Sequence, residues 1–382
     1  MTPAGRRRVC IVTGTRAEFG LLRPVIDAVL ARPELEAGIA VAGAHLLPPA
    51  HTSREVEQAY PGHIIGRIPM QQPGVTGRLA DARALGAGIA AIADNFEQWR
   101  PDWVVVLGDR IEAFAAASAA SVGGIAVAHI HGGDRAEGVA DEAMRHAITK
   151  LAHLHLAATE QSARRIVRMG EPEQYVLNVG SPAADGIAGV AAMDDAAFAA
   201  LGAPTIAVLQ HPAGLPADGD RAWAHAIADA MRGERVLWLA PNHDPGREAI
   251  VEVMQREAAR DGITQCDHLP HAEFRSLIKR LGEGGGVLVG NSSSGLIEAA
   301  LLRCPAVDCG PRQGGRERPN NVVHVARAAA DAVEDGVRAA RAIRREAIVH
   351  PYGDGRAGTR IAAALAGCDP HAQELLRKRH CD

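Results

Sequence analysis

The chain has 382 residues, more than a single hydrophobic core usually supports, so we expect two domains. Its 41 Lys and Arg residues against 45 Asp and Glu residues give a formal net charge of −4, without the basic excess of a dedicated nucleic-acid-binding protein. The first apolar run, residues 9–13, is too short for a signal-peptide core or a membrane span. We therefore expect a cytoplasmic protein that binds neither nucleic acid nor membranes.

Strand-like apolar runs alternate with helical segments along the chain. The runs cover residues 9–13, 36–42, 103–107, 124–128, 155–158, 205–210, 235–240, 286–289 and 306–309. This alternation is typical of parallel sheets, so we predict an α/β protein with two Rossmann-like domains. The stretch 180–185 marks a joint, which places the domains at 1–182 and 183–357 and leaves a helical tail, 358–382, that we expect to pack back on the first domain.

Polar residues are concentrated after the third and fourth apolar runs, where the corresponding strands are expected to end. They are Asp109, Arg110, His129, His131, Asp134, Asp141, Glu142, Arg145 and His146. Open parallel sheets bind ligands at the carboxyl ends of their strands, so the concentration predicts a functional site. Surface charges or helix caps explain single members of this set, but explain the whole set poorly.

The turn after the first run, Gly14-Thr-Arg-Ala-Glu-Phe-Gly20, leads into a predicted helix over residues 21–30. Gly14 permits a tight turn, and the backbone N–H groups at a helix start favour an anion. Arg16 adds a planar cation suited to phosphate. The turn lacks the G-x-G-x-x-G pattern, so NAD is not indicated. An ordinary strand-to-helix turn with a surface arginine is the alternative.

A second turn of this kind, Gly290-Asn-Ser-Ser-Ser-Gly-Leu-Ile-Glu298, follows the run at 286–289. Its serines can cap a helix and donate hydrogen bonds to a diphosphate. Ser294 and Glu298 are spaced to share one helix face, where the carboxylate can accept two ribose hydroxyls. A serine-capped structural helix is the alternative.

Three further loops in the second half carry candidates. His211 and Asn242 follow the runs at 205–210 and 235–240, and each can contact a ligand or serve a structural role. The segment 310–321 carries three arginines among glycines, a pattern that favours an ordered anion-facing loop. The six cysteines lack paired C-x-x-C spacing, so no zinc ribbon or disulfide framework is indicated.

Together these motifs resemble the UDP-N-acetylglucosamine 2-epimerase family, in particular its hydrolysing branch. The resemblance rests on residues 13–20, 108–110, 129–133, 141–142, 145–151, 211–212, 290–295 and 350–355. It implies a glycosyltransferase-B-like arrangement with the active site in the interdomain cleft, a UDP-linked nucleotide sugar as substrate, and neither a cofactor nor a metal. We also expect a homodimer or homotetramer.

The family pattern implies roles for individual residues. The sugar-side catalytic group is Asp109, His131, Asp141, Glu142 and Arg145, and the nucleotide contacts are Arg16, Arg110, His211, Asn242, Ser292, Ser293 and Glu298. The chain departs from the pattern at three places. Many members have glutamate at the position of His131, close relatives have glutamate at that of Asp134, and the H-P-x-T pattern becomes His211-Pro-Ala-Gly214.

The implied reaction begins with loss of UDP from UDP-N-acetylglucosamine or a close UDP- or GDP-linked relative. A base removes the C2 proton to give a 2-acetamidoglucal, and water adds to give N-acetylmannosamine or the matching 2-epimer. The segment 134–151 favours this hydrolysing reaction. The alternatives are a non-hydrolysing epimerase, a glycosyltransferase of the same fold that requires an acceptor, and a catalytically silent nucleotide-sugar-binding protein.

Overall fold

The computed structural model describes residues 5–48, 51–75, 77–135, 142–242, 244 and 246–379. These residues form two compact units. The first unit contains the described residues up to Asp134, from Glu142 to Asp185 and from Tyr352 onward, and the second contains Arg135 and those from Gly186 to Pro351. Each unit is built on one parallel β-sheet.

The first unit alternates strands with helices. Its strands are β1 (Arg7–Thr13), β2 (Leu35–Ala42), β3 (Ile64–Ile68), β4 (Trp103–Leu107), β5 (Ala126–Ile130), β6 (Leu154–Ala157) and β7 (Val176–Asn178). Its first six helices are α1 (Arg16–Leu30), α2 (Ser53–Ala59), α3 (Arg78–Trp99), α4 (Ile111–Val122), α5 (Glu142–Leu151) and α6 (Glu160–Arg168). Successive residues of β1 alternate between two apolar cores, Val9 and Ile11 in one and Cys10 and Val12 in the other. Because helices cover both faces of the sheet, the strand reads as a continuous apolar run.

The second unit repeats this plan. Its strands are β8 (Ile206–Leu209), β9 (Val236–Leu239), β10 (Ile263–Cys266), β11 (Val287–Gly290), β12 (Ala306–Cys309) and β13 (Val322–Val325). Its helices are α7 (Asp195–Ala200), α8 (Ala217–Ala230), α9 (Arg247–Glu257), α10 (His271–Glu283), α11 (Glu298–Leu301) and α12 (Ala330–Arg341). In β8, Ile206 and Val208 enter one core and Ala207 enters the other.

The order of strands identifies the functional edge of each sheet. The sheets run β3-β2-β1-β4-β5-β6-β7 and β10-β9-β8-β11-β12-β13, so the order reverses between β1 and β4 and between β8 and β11. In open α/β sheets, ligands bind beyond the carboxyl ends of the strands at such a reversal. The turns after these four strands therefore mark the candidate site of each unit.

The C-terminal segment belongs to the first unit. Helix α13 (Ala357–Gly367) packs on α1 through Ile361 and Leu365, and α14 (Gln373–Leu376) follows it. Beyond α14, Lys378 pairs with Glu171, a buried carboxylate that also contacts Lys150 at 2.5 Å and His155 at 3.1 Å. Burial alone would raise the pKa of Glu171, but the hydrogen bonds from His155 and the two lysines lower it to about 2.

The structure confirms the predicted fold class, an α/β protein with two Rossmann-like parallel-sheet domains. All nine predicted apolar runs are strands in the interior of a sheet, and their ends agree with the prediction to within two residues. The sequence did not predict β3, β7, β10 and β13, which are the edge strands of the two sheets. None of the helices among the described residues is long and apolar enough to cross a membrane.

Candidate active site

In the turn after β1, backbone N–H groups donate to the side chain of Glu18. Thr15 caps α1 by accepting the Glu18 N–H, and the Glu18 carboxylate accepts the N–H groups of Gly14 and Thr15 at 2.9 and 3.0 Å. Burial, followed by repulsion from Glu112, raises the pKa of Glu18 to about 7. Two of the amides that we expected to face an anion therefore have an acceptor within the chain.

Two predicted diphosphate contacts, Arg16 and Arg110, follow β1 and β4 and have carboxylate partners. Arg16 Nε lies 3.1 Å from Glu55 Oε2, and Arg110 Nε lies 3.5 Å from Glu112 Oε2. Both arginine side chains are about one-third exposed, at 29% and 35%. A guanidinium has five N–H donors, so an arginine paired at one nitrogen can still bind a phosphate oxygen. Their nucleotide role stays a prediction.

Glu112, near the start of α4, joins three strand ends and was not singled out from the sequence. It is fully buried, and its Oε1 accepts from Ala44 N–H at 3.3 Å and from Gln71 Nε2 at 3.2 Å. A Cβ at Gly14 would lie 2.6 Å from Glu112 Cγ, and one at Gly43 would collide with its carboxylate. Both glycines are therefore required by the close approach of this side chain. The recognisable signal is a glutamate three residues after the Asp109 position.

A cluster of charged side chains is formed by Asp109, Glu142 and Arg145. Arg145 is 2% exposed; one guanidinium nitrogen pairs with Asp109, and the other lies 2.5 Å from Glu142 Oε2. The two carboxylate side chains are 20% and 19% exposed. His146 Nε2 adds a contact of 3.1 Å to the second Glu142 oxygen. The structure thus brings together three of the five predicted catalytic residues, while Asp141 lies outside the described residues.

His129, which follows the predicted apolar run 124–128, has a structural role. Burial lowers its pKa to about 3, so the ring is neutral. Its Nε2 donates to the Gly108 carbonyl at 2.8 Å, and its Nδ1 lies 3.2 Å from the Thr149 hydroxyl. The ring therefore ties the end of β4 to α5, the helix that carries Glu142 and Arg145.

His131, predicted as catalytic, directly follows β5 and has a partner at each ring nitrogen. Nδ1 lies 2.8 Å from Asp134 Oδ2, and Nε2 lies 3.0 Å from Ser181 Oγ. Asp134 also accepts from Ser162 Oγ at 2.7 Å, and its backbone carbonyl accepts from Arg145 at 3.2 Å. The sequence drew attention to Asp134 without giving it a role, and placed Ser181 only in the joint between domains.

In the second unit, His211 is fixed by the end of β11. Asn291 Oδ1 accepts the His211 N–H at 2.7 Å, and Asn291 Nδ2 donates to the His211 carbonyl at 2.8 Å. Burial, followed by the charge of Arg312, lowers the pKa of His211 to about 3. Since Nδ1 of this neutral ring accepts the Asn242 N–H at 3.1 Å, the ring hydrogen is on Nε2. His211 is thus a neutral donor, and Asn242 supports it through its backbone.

The serine-rich turn differs from the predicted helix start. Ser292 accepts the Ser294 N–H at 3.3 Å and caps a three-residue 3₁₀ turn, Ser293–Gly295, while α11 begins only at Glu298. The prediction that Ser294 and Glu298 share one face of a single helix is therefore wrong. Serine side chains compete for backbone hydrogen bonds and glycine weakens a helix, so this stretch forms a tighter turn.

Glu298 remains suited to accept hydrogen bonds. Its side chain is 12% exposed and its Oε1 lies 3.9 Å from His271 Nε2. Burial alone would raise the pKa of Glu298, but the nearby His271 lowers it on balance. An ionised carboxylate next to the serine turn fits the predicted contact with ribose hydroxyls, which stays a prediction.

The arginine-rich loop after β12 is ordered by its own arginines. Arg312 donates to the carbonyls of Pro212 at 3.2 Å and Asn291 at 3.3 Å, which joins the loop to the ends of β8 and β11. Arg318 pairs with the buried Asp308 at 2.9 Å. Two of the three arginines in this loop therefore make contacts that order it, and the predicted contact of the loop with an anion stays a prediction.

The carboxyl ends of the strands carry different chemical groups in the two sheets. The first presents carboxylates around a buried arginine, which suits proton transfer. The second presents a neutral imidazole N–H and serine hydroxyls, which suit an anion such as a diphosphate. Among the described residues, no group of three or more His, Cys, Asp and Glu side chains is arranged to hold a metal ion.

Comparisons with known proteins identify the family of the chain. A family model described as UDP-N-acetylglucosamine 2-epimerase matches residues 27–366. A Legionella pneumophila protein named UDP-N,N'-diacetylbacillosamine 2-epimerase (hydrolyzing) is 34% identical over 97% of this chain and 98% of its own. A Neisseria meningitidis serogroup B protein named UDP-N-acetylglucosamine 2-epimerase is 30% identical over 83% of each chain.

The fold has a counterpart among solved structures. The Methanocaldococcus jannaschii UDP-GlcNAc 2-epimerase, solved in complex with UDP-GlcNAc and UDP, superposes with a TM-score of 0.80 at 19% identity. The similarity covers 94% of this chain and all of the other. The family match spans nearly the whole sequence and the fold agrees with it. The chain therefore belongs to the UDP-N-acetylglucosamine 2-epimerase family.

Proposed function

We propose that the protein is a hydrolysing nucleotide-sugar 2-epimerase. Its substrate is UDP-N-acetylglucosamine or a close N-acetylated relative, and its products are UDP and N-acetylmannosamine or the matching 2-epimer. The name of the Legionella relative, a hydrolysing epimerase similar over nearly its full length, supports this reaction. The observation that carries the proposal is the burial of Arg145 between the partly exposed carboxylates of Asp109 and Glu142.

The reaction begins with cleavage of the bond between C1 and the diphosphate oxygen. Donors that hold the diphosphate stabilise the charge that develops on the leaving group. We assign this role to the Nε2–H of His211, to Ser292 and Ser293, and to Arg16 and Arg110. Glu298 accepts ribose hydroxyls. Asn242 acts through its backbone bond to His211.

A base then removes the C2 proton to give the 2-acetamidoglucal, and a second group returns a proton to C2 on the opposite face as water adds at C1. Two titratable groups with different environments suit this pair of transfers. We assign them within the group of Asp109, Glu142 and His131, with Asp141 as the further candidate. Arg145 holds both described carboxylates in fixed positions, which lowers the cost of orienting them during the reaction.

Product analysis tests the proposal. The purified protein is incubated with UDP-N-acetylglucosamine and a chelator, without NAD, and both UDP and sugar are followed by NMR. We expect free UDP and free 2-epimer. UDP-linked N-acetylmannosamine identifies a non-hydrolysing epimerase, turnover that requires an acceptor identifies a glycosyltransferase, and binding without turnover identifies a silent binding protein. Activity that returns only with one specific metal contradicts the cofactor-free reaction.

We further propose that the protein acts as a cytoplasmic homodimer or homotetramer, as the family resemblance suggests. Light scattering coupled to size-exclusion chromatography measures the mass of the assembly against the 40.0 kDa of one chain. A mass that stays at that of a single chain at all concentrations contradicts this part of the proposal.

A further inference from the structure

Three side chains of the first unit form a continuous hydrogen-bonded row. Ser181 Oγ lies 3.0 Å from His131 Nε2, and His131 Nδ1 lies 2.8 Å from Asp134 Oδ2. The three residue types and their order are those of a nucleophilic serine triad. Ser181, however, is fully buried and also accepts the Ala183 N–H at 3.2 Å, so it is not placed to attack a substrate.

The imidazole is brought to this position by a strained turn. His131 has a φ of +63°, in the left-handed region that residues with a Cβ rarely adopt. A Cβ at Gly132 would lie 2.8 Å from His129 Nδ1, and one at Gly133 would collide with the Ser162 carbonyl. The turn is therefore packed too closely to relax. The hydrogen bonds from the His131 imidazole to Asp134 and Ser181 help to keep this residue in its unfavourable backbone conformation.

Ser181 itself is held firmly by the returning C-terminal segment. Its N–H donates to the Tyr352 carbonyl at 2.9 Å, and a Cβ at the preceding Gly180 would lie 3.1 Å from the same oxygen. Four residues later, Asp185 accepts the N–H groups of Ala357 and Gly358 at 2.8 and 2.7 Å, at the start of α13. The hydroxyl is thus presented to His131 from a rigid support.

The hydrogen-bonding capacities of the partners determine the tautomer of the ring. A carboxylate only accepts, so the contact with Asp134 places a hydrogen on Nδ1 of His131. Nε2 of the neutral ring then accepts the Ser181 O–H. If Nε2 gains a proton, the serine oxygen can accept that N–H instead, because a hydroxyl both donates and accepts. Ser181 can therefore keep its bond to the ring in both charge states.

We infer that Ser181 is a positioning residue of this active site, which together with Asp134 holds the His131 imidazole at both nitrogens in the Nδ1–H tautomer. The inference rests on the proposed function. Ser181 acts through His131 and does not touch the substrate. This positioning gives a role to the segment Gly180–Asp185 and to the 350–355 motif that packs against it. The proposed reaction uses neither of them.

Steady-state kinetics tests the inference. Ser181→Ala is expected to lower kcat about 10- to 100-fold, by analogy with the loss of a partner that orients a metal-binding histidine, with KM changed less than threefold. Ser181→Thr, which keeps the hydroxyl, restores at least part of kcat. The control Asp194→Ala removes the side-chain cap of α7 in the second unit and keeps wild-type kcat. A folded Ser181→Ala enzyme with kcat within twofold of wild type overturns the inference.

A spectroscopic measurement does not depend on turnover. In protein labelled with ¹⁵N-histidine, long-range ¹H–¹⁵N correlation spectra identify the tautomer of each ring, and His131→Gln assigns the His131 signals. We expect hydrogen on Nδ1 of His131 in the wild type, and a changed Nε2 shift in Ser181→Ala with Nδ1–H retained. A bare Nδ1 in the wild type, or an Nε2 shift unaffected by Ser181→Ala, overturns the inference.

The two measurements separate the possible failures. If the wild-type protein does not act on any nucleotide sugar while His131 shows the expected Nδ1–H signal and Ser181 sensitivity, the proposed function fails and the positioning of His131 stands. If turnover is found but the tautomer or the Ser181→Ala kinetics differ from expectation, the proposed function stands and the inference fails. Should Ser181→Thr fail to fold because the site is fully buried, the wild-type spectrum still decides the tautomer.

Discussion

The two sheets share one strand order over six strands, with a seventh strand in the first sheet, but they carry different residues at the carboxyl ends of their strands. In the first unit, the strand ends carry carboxylates and arginines that pair with one another, as in the cluster of Asp109, Glu142 and Arg145. In the second, they carry a neutral histidine, His211, fixed by Asn291, and a serine-capped turn. One fold thus carries two sets of loop residues, to which we assign proton transfer and anion binding, because function depends on the residues of a site and not on the fold.

The largest effect is expected from a substitution that breaks the charge cluster of the first unit. Arg145→Ala leaves Asp109 and Glu142 without the buried cation that separates and orients them. We expect kcat to fall by about 10⁴-fold and the free energy of unfolding by about 3 kcal/mol, as for other broken buried ion pairs. Arg164→Ala is the control, because its pair with Glu160 is exposed at both side chains and contributes at most about 1 kcal/mol. Equal losses in both variants would contradict the special role of Arg145.

The next prediction separates the chemical step from binding within that cluster. Asp109→Asn and Glu142→Gln keep the shape of the side chains and remove the titratable group. Each is expected to lower kcat by about 10²- to 10³-fold while the Kd of UDP, measured by calorimetry, changes little. A variant that loses UDP affinity and keeps kcat would move its residue to the nucleotide site.

The complementary prediction concerns the second unit. Ser293→Ala and Glu298→Ala are expected to raise the Kd of UDP about tenfold each, the cost of one hydrogen bond to a charged group, with a small change in kcat at saturating substrate. If calorimetry shows that Ser293→Ala binds UDP as tightly as the wild type, the diphosphate contacts lie elsewhere.

A smaller effect is expected in the pH dependence of stability. The pKa of Glu18 is raised from 4.5 to about 7, so the folded state binds more protons than the unfolded state between these values. Stability therefore falls as pH rises through this window, and Glu18→Gln removes that loss. Relative to wild type, the unfolding free energy of Glu18→Gln should increase from pH 4.5 to 7 by up to about 3 kcal/mol, at about 1.4 kcal/mol per pKa unit.

Glu171 provides the control of opposite sign. Its pKa is lowered from 4.5 to about 2, so its stabilising effect is present above pH 4.5 and is lost as pH falls toward 2. Glu171→Gln should be destabilised at neutral pH, and that deficit should shrink in acid. Urea denaturation measures the unfolding free energy of each variant relative to wild type, between pH 4.5 and 7 for Glu18→Gln and between pH 2 and 4.5 for Glu171→Gln. This difference should rise with pH for Glu18→Gln and fall with pH for Glu171→Gln. A change of the same sign in both variants would contradict the assignment of Glu18 or Glu171.

The sequence predicted the interior strands because they are apolar on both faces. β4 is buried at every position and reads as a continuous apolar run, whereas the edge strand β10 is only half-buried along its length. An edge strand faces solvent at one side and can carry polar residues such as Thr264 and Gln265, so its pattern resembles a loop. The four missed strands share this position at a sheet edge.

Within the site, local spacing predicted some features and long-range packing determined others. The pairing of Glu142 with Arg145 follows from their separation by three residues in one helix. The row formed by Ser181, His131 and Asp134 joins residues 50 positions apart, and no local pattern indicates it. The prediction of one helix over the serine-rich turn was wrong for a related reason, because hydroxyl groups can cap a short turn as well as a long helix.

Deuterium incorporation tests the central claim most directly, since that claim is elimination and hydration at C1 and C2. UDP-N-acetylglucosamine is incubated with the protein in D₂O, and the sugar product is examined by proton NMR and mass spectrometry. The account predicts free UDP and a 2-epimer in which C2 carries deuterium from solvent. A product that keeps its original hydrogen at C2 would contradict it, because hydride transfer or simple glycosidic hydrolysis leaves that hydrogen in the molecule.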